Sequence, residues 1–277
     1  MVTSGAPAEA VRLAAEAQIS VCVLDADSGA VLEFDGGERV HSTASVGKVL
    51  LLIEVAIRLK DGRLRDNQVL APVADDEVAD SGLLQFLHTR TLPPGDLATL
   101  VGAVSDNFAT NVLLRTVGLP SVLERARTLE LKHTALHDRV RSTRKPSDPP
   151  RLSSGTAAEL ADLFARLHRG EVRSRAISKQ VLTWLTHDAD TSMTAGAFGL
   201  DPLAHVDPDR GLTLAHKTGT DTGVRCDVGV LSGPARSVAY AVLASFTESD
   251  EESERDAVLG EMFAIGERIR ALVETRQ

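Results

Sequence analysis

The chain has 277 residues, enough for one large domain or two interleaved ones with a sizeable core. Apolar residues make up 43% and charged residues 25%, with no low-complexity tract, as in an ordinary globular protein. A formal net charge of −9 and no clustered Lys/Arg stripe argue against a nucleic-acid binder, which needs a basic face for phosphates.

From the N-terminus, Met1 to Pro7 shows no positive segment leading into an apolar one, so no signal peptide is read. The expectation is a cytoplasmic chain as it stands, or a secreted or periplasmic one if a leader has been removed. No run approaches the ~18 apolar residues of a membrane span, and no membrane partner is expected. Residues 6–17 read as an Ala-rich amphipathic helix. Ile19 to Leu24, the turn Asp27-Ser28-Gly29 and Ala30 to Phe34 form a hairpin signal. The middle reads as helices over 46–59, 97–104, 107–117, 121–130, 155–169 and 174–186, with a Pro-rich, charged loop over 140–153. Strands return at Thr213–Lys217, Val224–Leu231 and Ser237–Phe246, and a last amphipathic helix covers about 252–273. Cys22 and Cys226, the two cysteines, sit in apolar strand-like runs and read as buried free thiols.

Strands at both ends around a helical middle predict an antiparallel sheet built from the two termini and covered by terminal helices. The fold class is α/β in the α+β sense. Residues 1–43 and 191–277 form the sheet part, and 44–190 an inserted helical subdomain. The cleft between them is the natural place for a site.

Three short patterns occur in order: Ser45-Val46-Gly47-Lys48, Ser105-Asp106-Asn107 and Lys217-Thr218-Gly219. Ser45 stands where a small polar segment gives way to an apolar helix, whose free N–H groups and dipole favour developing negative charge. Lys48 lies one helical turn along, on the same face. Desolvated and near a second cation, which Lys217 can supply, such an amine takes a serine proton. A lone S-x-x-K means little in a chain this size. Ser-Asp-Asn and Lys-Thr-Gly are each rare by composition, and two of the six lysines fall in motif positions, so the ordered trio is the signal.

On these motifs the chain resembles the class A β-lactamases and related penicillin-recognising serine hydrolases across nearly its whole length. The helix Ser105 to Asn111, the run Val181-Leu182-Thr183-Trp184-Leu185 and the opening helix and hairpin are similar too. The resemblance implies a β-lactamase-like fold with a five-stranded antiparallel sheet. It implies a serine hydrolase acting on β-lactams through an acyl-serine. Ser45 would attack a β-lactam or D-alanyl carbonyl, Lys48 would take its proton, and Ser105 would relay that proton to the leaving nitrogen. Lys217 would hold the site's positive potential, and Asn107 would bond the substrate's amide. Thr218, Gly219 and Thr220 would bind substrate, the threonines through hydroxyls to its carboxylate. The oxyanion hole would be the N–H groups of Ser45 and Thr220. Arg225, one position off the family's pattern, is a further candidate for that carboxylate or a plain surface arginine. The expected partner is this small acyl substrate, for a monomer with no cofactor and no metal.

The chain departs from that pattern in one respect. Class A enzymes release the acyl group with a loop glutamate, and from Leu131 through Ser154 this chain has none. Its only carboxylates there are Asp138 and Asp148, with His133 and His137 nearby and Glu130 just upstream. Asp138 resembles the structural aspartate ahead of the loop. Asp148 is either a deacylating base or a brace for Arg141, Arg144 or Arg151. Acylation is expected to survive, with deacylation slow. The alternatives are a penicillin-binding D-alanyl peptidase, an amidase or esterase on another acyl group, a glutaminase, or a catalytically silent binding module. His187, Asp188 and Asp190 read as a solvated turn rather than a metal site, and the acidic run 248–252 as a helix start. His216 reads as a packing residue or a tuner of the site, and Ser81-Gly82 as part of the cleft rim.

Overall fold

The computed structural model describes residues 17–247 and 253–274. The helix expected over 6–17, save its last residue, and the acidic run 248–252 lie outside the described residues. In chain order the elements are β1 (Gln18–Asp25), β2 (Val31–Asp35), β3 (His41–Ser42), a 3-10 turn (Ala44–Gly47), α1 (Lys48–Lys60), α2 (Pro94–Val104), α3 (Asn107–Val117) and α4 (Leu119–Thr128). Then follow β4 (Ala135–Leu136), β5 (Ser153–Gly155), α5 (Ala157–Arg169), α6 (Arg175–Leu185), a second 3-10 turn (Thr194–Phe198), β6 (Thr213–Asp221), β7 (Val224–Ser232), β8 (Ser237–Ser245) and α7 (Ser253–Glu274).

Local chemistry sets several boundaries. Asp106, Thr156 and Ser174 cap α3, α5 and α6 by accepting from the backbone N–H of Ala109, Glu159 and Ile177. The first hairpin is closed by Asp25, whose carboxylate accepts from both the N–H and the hydroxyl of Ser28.

β1, β2, β6, β7 and β8 form one antiparallel sheet in the order β2-β1-β8-β7-β6. Their side chains alternate between two cores. Cys22, Leu24, Cys226, Val228, Val230, Ala239, Ala241 and Leu243 join α1 to α6 in one cluster. Val21, Val23, Val238, Tyr240, Val242 and Ala244 join Val258, Met262, Ile265, Ile269 and Val273 of α7 in the other. Both faces are covered, so the inner strands read as continuous apolar runs. Each fully buried Val, Leu or Ile contributes about 1.5–3 kcal/mol, which makes these faces the main source of cohesion. Both cysteines are buried thiols, and burial raises Cys22 to about 11 and Cys226 to about 12.

The chain leaves the large sheet after Asp35 and re-enters it at Thr213. The intervening part also carries β4 and β5, which pair with β3 in a small second sheet of order β3-β5-β4. α5 lies on the inner face of the large sheet with its apolar stripe in the first core. His41 fastens β3 to the large sheet: its Nε2 meets Ser20 Oγ and its Nδ1 meets Ser245 Oγ, both at 2.8 Å. The last strands differ from expectation in one way. β6 runs on to Asp221 and not just to Lys217, because Lys217 to Asp221 stay in register with Val228 to Val224. A polar Lys-Thr-Gly-Thr-Asp stretch carries no apolar alternation, so pattern alone ended the strand early.

Candidate active site

Ser45 sits in the 3-10 turn that runs straight into α1. Ala44 just before it takes φ 45°, a left-handed conformation that costs a non-glycine residue of order 1 kcal/mol or more. Ser153 of β5 holds that turn. Its hydroxyl donates to Ala44 O at 2.7 Å and meets the Thr43 hydroxyl at 2.7 Å, while Thr43 N–H donates to Ser153 O at 3.3 Å. β6 crosses the turn so closely that a Cβ on Gly219 would lie 2.3 Å from Thr43 O and 3.3 Å from Ser45 N. Gly219 is therefore required for the approach of the third motif to the first.

Lys48 is fully buried. Its Nζ lies 2.6 Å from Ser105 O, 3.1 Å from Ser105 Oγ and 2.7 Å from Asn107 Oδ1. Burial, reinforced by the Lys217 cation, holds the amine well below the ordinary lysine range. The first and second motifs therefore meet at one nitrogen.

The second motif owes its shape to two strained or close positions. Ser105 caps α2 with φ 53°, which turns its carbonyl toward Lys48 and the Ser81 hydroxyl, which donates at 2.9 Å. Asp106, fully buried, accepts from the N–H groups of Leu83, Leu84 and Ala109. Gly82 is pressed against it: a Cβ there would come within 2.3 Å of Asp106 Cγ. The expected rim segment is thus bolted to the second motif through Ser81 and Asp106. Asn107 gives its carbonyl to Lys48, and its amide lies 3.4 Å from Ala79 O.

The turn from His187 to Asp190, expected to be solvated, is only partly exposed and is built around a buried Asp188. Asp188 is 1% exposed and pairs with Lys217 Nζ at 3.1 Å, while also accepting from Thr218 N–H at 3.3 Å. Asp190 accepts from the Thr218 side chain. Burial works against its charge, but Ser192, Thr218 and Lys217 hold it below the usual carboxylate range. Behind Lys217, His216 Nδ1 lies 3.0 Å from Asp227 Oδ1, to which Tyr240 donates at 2.9 Å. Burial opposes an imidazolium there, yet Asp227 keeps His216 above its usual range.

Ser45, Ser105, Asn107, Thr218 and Thr220 line one cleft of about 610 Å³, with Lys48, Lys217 and Gly219 directly beneath. Arg225 is not among the lining residues. Its partners in β7, Cys226, Val228 and Val230, face the helical layer, so parity sends Arg225 to the opposite face. There it lies 5.7 Å over the Phe246 ring and donates to Asp221 O and Val224 O. Its role toward a substrate carboxylate is not carried forward.

The loop over 140–153 forms the remaining wall through Val140, Arg141, Ser142, Thr143, Arg144 and Leu152. Neither its one carboxylate, Asp148, nor Asp138 just ahead of it lines the cleft. Asp138 accepts from Arg141, Arg144 and the Arg139 N–H; burial raises its pKa, but these bonds bring it below the ordinary range. Asp148 accepts from Lys145 N–H at 2.8 Å and pairs with Arg141 at 3.4 Å, which is the bracing alternative. Asn111 of α3 pins the loop, donating to Val140 O at 3.0 Å and accepting from Val140 N–H at 2.9 Å. Sequence reasoning assigned no role to Asn111 or Ser153. Among the described residues no group of three or more His, Cys, Asp or Glu is placed to hold a metal. No described helix is long and apolar enough to cross a membrane.

The model of a family described as "Beta-lactamase enzyme family" matches residues 8–264. The chain belongs to the β-lactamase enzyme family. By family and fold it is a β-lactamase-like serine hydrolase. A β-lactamase of Streptomyces albus G is 28% identical over 95% of this chain and 81% of its own length. A crystal structure of a β-lactamase from Sphaerobacter thermophilus superposes with a TM-score of 0.78 at 24% identity, covering 93% of this chain and 92% of that one. PBP-A superposes equally well, with a TM-score of 0.78 at 20% identity over 94% of this chain and 91% of its own. A point mutant of PBP-A is described as an acyl-enzyme complex with penicillin G.

Proposed function

We propose that this family member opens β-lactams by acylating Ser45 and releases the acyl group slowly. Ser45 would attack the ring carbonyl carbon and form an ester as the ring C–N bond breaks. Its proton would pass to Lys48 and return through the Ser105 hydroxyl, 3.1 Å from the Lys48 amine, to the leaving nitrogen. Lys217, paired with Asp188, would help lower the Lys48 pKa and keep the pocket positive toward the anionic intermediate. The observation that carries the slow step is the cleft wall over 140–144. It presents arginines and hydroxyls, while Asp138 and Asp148 are tied into ion pairs away from the cleft. A base must lie within one hydrogen bond of the water it activates, and neither Asp138 nor Asp148 lines the cleft where that water would sit.

The test is intact mass after exposure to benzylpenicillin, alongside colour release from a chromogenic cephalosporin. The expected result is an adduct of one whole β-lactam that outlasts mixing, disappears in Ser45→Ala and accompanies slow turnover. Fast, Ser45-dependent turnover without an adduct overturns the slow release. Neither adduct nor turnover overturns the β-lactam reading and favours another acyl substrate.

A further inference from the structure

The charges around the cleft are unevenly placed. The chain as a whole is acidic, yet residues 138–152 carry five cations, Arg139, Arg141, Arg144, Lys145 and Arg151, against two carboxylates. Two of those cations line the cleft. Arg141 is fully engaged: Nε and Nη2 meet Asp138 and Nη1 meets Asp148. Arg144 is different. Only its Nη1 is held, by Asp138 at 2.6 Å and Pro149 O at 3.1 Å. Among the described residues, its Nε and Nη2 edge has no protein partner, and its side chain is 26% exposed. The adjoining Ser142 and Thr143 also line the cleft, with hydroxyls that bond no other described residue.

The other rims are acidic. Asp80 lines the cleft beside Ser81, and Asp221 ends β6. Lys217 is compensated by Asp188, and the Thr218 hydroxyl already serves Asp190. An anionic group entering the cleft is repelled at those rims and attracted at the loop, where Arg144 is part of the lining. A guanidinium matches a carboxylate in shape and charge, and the ion pair with Asp138 pre-orders this one.

We infer that Arg144, with Ser142 and Thr143, forms a recognition site for a carboxylate on the acyl side chain of the substrate, so that the enzyme prefers acyl donors bearing a second anionic group. This rests on the acyl-serine reading above.

The experiment compares α-carboxybenzylpenicillin with benzylpenicillin, which differ by that one carboxylate. Second-order rates of adduct formation on Ser45 are read by quenching and intact mass. The expected rate is about tenfold higher for the carboxylated compound in the native protein, from one charge-assisted contact. Arg144→Gln is expected to bring the ratio to about one, and Arg144→Lys to an intermediate value. Should Arg144→Gln fail to fold, added salt on the native protein provides the same reading, because screening lowers a ratio that depends on charge. A native ratio at or below one overturns the inference while leaving the acyl-serine reading intact. So does a ratio that neither Arg144→Gln nor salt changes. No adduct from either compound removes both.

Discussion

Around Lys48 three oxygen acceptors meet an amine whose charge is opposed by burial and by a second cation. Nζ donates to the carbonyl oxygens of Ser105 and Asn107 and to the Ser105 hydroxyl, three acceptors that an ammonium can fill completely. A lysine deprived of water and repelled by Lys217 gives up its proton more readily than an ordinary one. The rate of Ser45 acylation is therefore expected to rise with pH along a limb far below the ordinary lysine value of 10.5. Lys217→Gln removes a repelling cation and leaves Asp188, whose carboxylate favours the protonated amine, so both changes raise the Lys48 pKa. The limb should move to higher pH, read from adduct formation across a pH series; a limb that stays in place refutes the coupling of the two lysines. The three motifs were legible because each carries its reacting groups in adjacent residues. Ser153 and Asn111 were not, since a serine in a short strand and an asparagine inside a helix look ordinary until their distant partners are known.

At the scale of elements, the site depends on short segments fastened by buried polar contacts. β3 delivers the chain to the Ser45 turn, and His41 ties it to β1 and β8 through two serines. Burial drives the His41 imidazole from 6.5 down to about 4, with Arg39 adding to the effect. The unfolded chain binds this proton at a higher pH than the folded one. Stability from His41 is therefore full above the unfolded value of 6.5 and falls as pH drops from there toward 4, by about 3 kcal/mol. Melting temperature should fall between pH 7.5 and pH 5 more steeply in the native protein than in His41→Gln; equal slopes would sink this account. The hairpin, the inner strands and most helices could be read from periodicity and caps. The end of β6 could not, nor could β4 and β5, because their pairing is decided by partners far along the chain.

The whole molecule is a sheet with a core on each face, and the same strands supply both. Loss of packing beneath α7 is therefore transmitted to the helical layer through the shared sheet. Ile269 is fully buried in the α7 cluster, and Trp184, the single tryptophan, lies in the other. Ile269→Ala is expected to cost about 2–5 kcal/mol, and the urea transition followed by Trp184 fluorescence should shift with the one followed by circular dichroism. A Trp184 transition left in place would show that the layers unfold separately.

The amino-acid sequence alone determined the antiparallel sheet from the two chain ends, the helical insertion and the three motifs, because alternation, caps and neighbouring residues are local properties. It also showed that the loop over 140–153 lacks a glutamate. Only the tertiary structure decided that Asp188 is a buried counter-ion to Lys217, that Arg225 faces away from the cleft, and that Arg144 lines it. Burial, strand parity and ion pairing are relations between segments far apart in the chain. They exist only once the fold has brought those segments together.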